Sequence, residues 1–234
     1  MFMAAAKRGA NCQWWTGVRL DALAETDRVF LCFDYYASDA RTCRVANSAT
    51  GPFDEIDKSL YDHKFIRIAN SDSDILAVGA SVDGSDTQAG HGLAEIYELA
   101  SQKWQSIEPY PYVGTGLFDG YIYAQPVIHV DSAFYVFGGK TGSIGRLDAV
   151  RFVWSQAGTM KRSRGDHNVI HVDRAFLVIG GYDERGEGNY ATEKCQLNSN
   201  GTTMSCSTQE PTLDYHYKWP ELILVEDDFC QELP

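Results

Sequence analysis

Two segments of this chain spell nearly the same phrase. Residues 127–139 read VIHVDSAFYVFGG and residues 169–181 read VIHVDRAFLVIGG, 42 residues apart and alignable without a gap. Recurrence at such a period marks an array of similar supersecondary units, none of which buries its apolar faces alone. Each phrase holds two apolar runs of β-forming residues around a short polar link, Asp131-Ser132 or Asp173-Arg174. That is the pattern of a tight hairpin, and the closing glycines let the chain turn sharply.

Weaker copies precede and follow. Residues 65–80 (FIRIANSDSDILAVGA) and 20–34 (LDALAETDRVFLCFD) repeat strand, polar turn and strand. A fifth start appears where Leu222–Val225 leads into Asp227, Asp228, Phe229 and Cys230. After the glycine position of each unit comes a second hairpin. In the second unit it is Ala94–Leu99 followed by Lys103–Ile107. In the third, a strand near Ala149–Phe152 precedes Trp154 and Ala157–Met160. In the fourth, Glu193–Leu197 precedes Thr203–Cys206, and in the first, Thr42–Val45 precedes Phe53–Ile56. No stretch carries helical periodicity over ten residues. Four short strands per unit with no helix predict an all-β propeller of four-stranded antiparallel blades.

Residues Gly138, Gly139, Gly180 and Gly181, with Tyr97 and Trp104 six residues apart in between-count, resemble the kelch repeat, whose second strand ends in Gly-Gly and is followed by a spaced Tyr and Trp. Trp154 matches the Trp of the third unit, and Gly79 stands where a double glycine is expected in the second. The fourth unit has Cys206 in the Trp region, and the first unit has neither glycine nor Trp. The resemblance implies a kelch-type propeller over residues 17–230 after an N-terminal segment, 1–16. Its blades would span about 17–58, 62–109, 121–160 and 166–212, with a partial fifth at 215–230. It also implies that the repeated Gly, Tyr and Trp pack between blades. Kelch rings of six or seven blades need ~300 residues. Either the chain is a fragment of such a ring, or residues 1–16 complete a five-bladed one.

Composition narrows the function classes. The formal net charge is −12, and such a surface repels a phosphate backbone, which argues against nucleic acid. No apolar run approaches the ~20 residues that span a bilayer, and the N-terminus lacks the apolar core of a signal peptide. The six cysteines point the other way, to an oxidising compartment. No CxxC pair exists, so a zinc site of ordinary spacing is not expected. Cys195 and Cys206 flank NSNG in a hairpin and are expected to pair across it, with Cys43 aligned to Cys195 in the repeat. Cys32 and Cys43 lie on adjacent strands and form a second candidate pair. Cys12 and Cys230 either staple a closed ring or are halves of lost pairs. Asn200-Gly-Thr202 is an N-glycosylation acceptor at the tip of the same hairpin.

No catalytic constellation emerges: GxSxG, a P-loop and a dinucleotide-binding glycine motif are all missing. Of His63, His91, His129, His167, His171 and His216, His129 and His171 occupy one repeat position and read as strand residues with satisfied hydrogen bonds. Arg162, Arg164 and His167 precede a first strand and read as blade packing. No metal or other cofactor is expected. The leading expectation is a non-enzymatic, extracellular binding module that holds a protein or glycan with loops at one end of the ring: Ser81–Gly92, Glu108–Gly120, Lys140–Arg146 and Tyr182–Asn189. Two alternatives stand beside it. Some kelch-like propellers are copper oxidases or sugar isomerases, although no Tyr/Cys/His copper set matches in position, and others are cytosolic adaptors.

Overall fold

A computed structural model describes residues 19–22, 29–33, 41–46, 52–63, 67–79, 92–112, 125–138, 141–165, 167–183, 185 and 187–210. These residues form sixteen strands and no helix. The first sheet comprises β1 (Arg19–Ala22), β2 (Val29–Cys32), β3 (Cys43–Ala46) and β4 (Asp54–Glu55). The second comprises β5 (Arg67–Asn70), β6 (Asp74–Val78), β7 (Ala94–Glu98) and β8 (Lys103–Ile107). The third comprises β9 (Val127–Val130), β10 (Ala133–Phe137), β11 (Ser143–Asp148) and β12 (Trp154–Thr159). The fourth comprises β13 (Asn168–Val172), β14 (Ala175–Ile179), β15 (Thr192–Leu197) and β16 (Met204–Gln209). Each sheet is an antiparallel meander in chain order. The first strands stand side by side, β1 next to β5, β5 next to β9 and β9 next to β13, while β12 touches β16. Four blades therefore line up around their innermost strands, as a propeller requires.

Alternation along the second strands explains the stacking. Successive side chains of a strand point to opposite faces. In the second blade Ile75 and Ala77 join a core with Phe30, Cys32 and Cys43 of the first blade. Leu76 and Val78 face the other way and join Phe134, Val136 and Leu147 of the third. Tyr135 and Phe137 then meet Phe176, Val178 and Cys195 of the fourth. A strand buried on both faces reads as a continuous apolar run, as AFYVF does; AFLVI repeats the run with Leu177 and Ile179 half-buried.

The third blade corrects one boundary. Its third strand is Ser143–Asp148, and Ala149–Arg151 form a turn closed by Phe152 at φ 54°. The connection before it is only a few residues long, so most of Lys140–Arg146 is strand rather than loop. The partial fifth blade at 215–230, the segment 1–16, Gly139, His91, His216, Cys12, Cys230 and nearly all of Ser81–Gly92 lie outside the described residues.

Candidate functional site

In an antiparallel meander the first-to-second and third-to-fourth turns share one end of the blade, and the remaining connections share the other. The turns at Asp131-Ser132, Asp173-Arg174, Ala149–Arg151 and Ser199–Thr202 mark the short-turn end. The segments after β2, β6, β10 and β14, and those linking one blade to the next, all leave from the opposite, long-loop end.

The long-loop end is anchored by a motif that occurs twice. Arg164, just before β13, is wholly buried. Its guanidinium donates to the Glu193 carboxylate at 2.7 Å and to the carbonyls of Gly180 and Ala191 at 3.2 and 2.8 Å. The same carboxylate accepts the backbone N–H of Lys161 at 2.6 Å and of Arg162 at 3.1 Å. Burial pulls the guanidinium below its ordinary pKa, while the charge of Glu193 opposes that pull. In the second blade His63 stands where Arg164 stands and Glu95 where Glu193 stands. His63 contacts the Glu95 carboxylate through Nε2 and the Gly79 carbonyl through Nδ1 at 2.5 Å. The Leu60 N–H donates to Glu95 at 2.9 Å. Both pairs tie the incoming linker to the blade's third strand, so these buried polar pairs hold loop bases.

The loop after β14 is built on the Arg164 anchor. Tyr182 and Gly165 exchange two backbone bonds of 2.9 Å, and Asn189 N–H donates to the Gly181 carbonyl at 2.8 Å. Asp183 Oδ1 accepts the N–H groups of Arg185 and Glu187, each at 2.9 Å, and Tyr190 next to the loop is 45% exposed. Another connection, between the second and third blades, is fixed by aromatics. The Tyr110 ring packs with Tyr112 and Trp154, and Gly145 makes room for it, since a Cβ there would lie 2.3 Å from the ring. Burial raises the Tyr110 phenol above its ordinary pKa.

The repeat residues sit as follows. Tyr97 opposes Trp104 across β7 and β8 with ring centroids 5.2 Å apart. The Trp104 indole donates to the Asp57 carbonyl at 2.8 Å, and the Trp154 indole donates to Glu108 at 2.7 Å. Both acceptors lie in linkers leaving the preceding blade. Gly79, Gly138, Gly180 and Gly181 all have positive φ. A Cβ on Gly138 would meet His167 of the next blade at 2.6 Å, and one on Gly181 would meet the Gly165 carbonyl at 2.3 Å. In the first blade Phe33, with φ 62°, takes the position of Gly79.

Both expected disulfides are present, Cys32–Cys43 and Cys195–Cys206. They are not equivalent. Cys32–Cys43 joins β2 to β3, whereas Cys195–Cys206 joins β15 to β16. Extending the register from the glycine position places Ala46, not Cys43, opposite Cys195 in the repeat, so the expected alignment of Cys43 with Cys195 is wrong by three residues. Cys195–Cys206 instead occupies the lattice position of Tyr97–Trp104 and of Leu147–Trp154. Glu193, Cys195 and Cys206 form the one close His/Cys/Asp/Glu group among the described residues. Its sulfurs are bonded to each other and its carboxylate is held by Arg164, so it does not fit a metal.

At the short-turn end His129 and His171 stack on Phe134 and Phe176, with centroids 4.9 and 4.8 Å apart. Burial lowers the pKa of both imidazoles. Asp72, Asp131 and Asp74 oppose the shift at His129, and Asp131 and Asp173 oppose it at His171. The expectation of satisfied hydrogen bonds fails at His171, whose enclosed Nε2 has no partner among the described residues. A cleft of about 330 Å³ beside it is lined by residues that include Asp131, Asp173, Arg174 and Asn200. A second cleft, of about 420 Å³, lies between the first two blades near Asp54, Glu55 and the Lys103–Asp57 ion pair.

No family model matches the chain, and no curated protein matches it. Among solved structures, a fungal alcohol oxidase of the AA5 family, described as catalytically diverse and in complex with copper, is similar with a TM-score of 0.66 and 14% identity. The likeness covers 87% of this chain and 43% of the oxidase. It shows the fold alone. The chain spans less than half the length of that structure. No helix among the described residues is long and apolar enough to cross a membrane.

Proposed function

We propose that this chain is a kelch-type propeller module of the extracellular space that binds a protein or glycan through its long-loop end and performs no chemistry there. The observation that carries this reading is the use of the buried polar pairs. Arg164–Glu193 and His63–Glu95 are committed to holding linkers and loop bases, leaving exposed residues such as Tyr190 on a rigid frame. Recognition loops on rigid scaffolds are the ordinary way such folds bind. Two disulfides support an oxidising compartment.

The test is a screen of the full chain, produced with an export signal, against immobilised glycans and extracellular protein domains. Replacing residues 183–188 by a Gly/Ser linker is expected to abolish the binding found while leaving the melting temperature in place. A hit that survives the replacement overturns the assignment to this end. A second reading, oxidation of sugars or other alcohols, is favoured by the copper-containing neighbour alone. Peroxide release from hexoses or primary alcohols by the copper-treated chain would install that reading in place of the first.

A further inference from the structure

The sequence contains a single Asn-x-Ser/Thr triplet, at Asn200, and its surroundings show more than a motif match. Asn200 is exposed, at the tip between β15 and β16. Its Oδ1 accepts the Thr202 N–H at 2.9 Å and the Thr202 hydroxyl at 2.6 Å, which leaves Nδ2 as the atom open to substitution. Gly201, at φ 68°, has no heavy atom within 4 Å of where a Cβ would lie, so the tip is uncrowded. The tip is nevertheless fixed in place. The Tyr135 hydroxyl of the third blade donates to the Gly201 carbonyl at 2.7 Å, and the Arg174 guanidinium donates to the Asn198 carbonyl at 2.6 Å.

Beside this tip lies the cleft of about 330 Å³. It offers hydrogen-bonding groups of both kinds, from Asp131, Asp173 and Arg174, next to apolar Val130 and Leu197. A sugar ring presents hydroxyls and an amide to polar partners and C–H faces to apolar ones, so the lining suits it.

We propose that Asn200 carries an N-linked glycan and that its first N-acetylglucosamine seats in the cleft between the third and fourth blades. The modification forms a bond from Asn200 Nδ2 to C1 of the sugar. It breaks the C1–O bond to the diphosphate of a lipid-linked oligosaccharide donor, releases the lipid diphosphate, and sheds one amide proton. The proposal rests on the extracellular reading above. It places the glycan at the short-turn end, away from the long loops, so a bulky group there leaves the binding end open.

The experiment expresses the full chain with an export signal in eukaryotic secretory cells and reads intact mass, free thiols and release by peptide N-glycosidase. One glycan is expected, lost in Asn200→Gln and in Thr202→Ala. Native release is expected to be on the order of tenfold slower than release after denaturation. Arg174→Ala, an exposed change, is expected to abolish that protection. Intact disulfides with Asn200 unmodified would overturn this proposal while leaving the extracellular reading in place. Six free thiols would sink both. A glycan released equally fast from native and denatured protein would overturn the seat.

Discussion

The second and fourth blades build the same lattice with different chemistry. Where the second pairs Tyr97 with Trp104, the fourth bonds Cys195 to Cys206. Where the second sets His63 against Glu95, the fourth sets Arg164 against Glu193. Each pair spans the same two strands or the same linker and strand, and each faces the preceding blade. The lattice therefore specifies that a position be filled and that a linker be tied, not which atoms do so. The consequences differ all the same. An aromatic pair holds in any redox environment, a disulfide only in an oxidising one.

The largest effect is expected from breaking the fourth blade's ion pair. Glu193→Ala strands a wholly buried guanidinium and frees the Lys161 and Arg162 N–H groups, costing about 3–5 kcal/mol. Denaturant titration measures it. Arg164→His should cost less than Arg164→Ala, because the second blade shows that an imidazole fits the site. If Arg164→His is as damaging as Arg164→Ala, the two sites are not interchangeable and the comparison breaks.

Next comes Trp104→Ala, expected to cost about 3–5 kcal/mol for a nearly buried indole. Removing the fourth blade's counterpart by Cys195→Ala with Cys206→Ala should cost about 3 kcal/mol, from a loop closed over a sequence separation of 11. Hydrogen exchange sharpens the contrast. A reductant that opens both disulfides is expected to lower protection in the first and fourth blades and spare β6, β7 and β10. Uniform loss would mean that the blades open as one unit, whatever holds each.

Much of this frame is legible in the sequence because β6 and β10 are buried on both faces and β14 repeats their apolar run, so AFYVF and AFLVI announce themselves. The disulfide at Cys195 is legible too, since NSNG between two cysteines puts them opposite each other in a hairpin. The third strand of the third blade is not. Its preceding loop shrinks to a few residues, and Gly145 stands where Glu95 and Glu193 stand in its neighbours, so the marker residue is lost to make room for Tyr110. The His63–Glu95 and Arg164–Glu193 correspondence is hidden for another reason. Histidine and arginine share no obvious signature, and only their equal seven-residue lead over Asn70 and His171 reveals it. Cys43 misleads by chemistry, since a cysteine invites alignment with a cysteine even when the register differs.

The smallest expected effect is in pH. At the inner-strand position where the third and fourth blades carry His129 and His171, the second carries Asn70, which does not titrate. Burial holds both imidazoles below their unfolded value, so between the folded and unfolded pKa the unfolded chain binds more protons than the folded one. The stability this gives is fully present above the unfolded value, about 6.5. It is lost as pH falls from there through the folded values. Asp72, Asp74, Asp131 and Asp173 face these rings and limit the loss, since their charges favour the imidazolium. Melting temperature should therefore fall from pH 7.5 to pH 5.5, and His129→Asn with His171→Asn, which copies the second blade, should flatten the curve. If the double variant keeps the full slope, the titrating groups are others, and the contrast between the blades does not set the pH response.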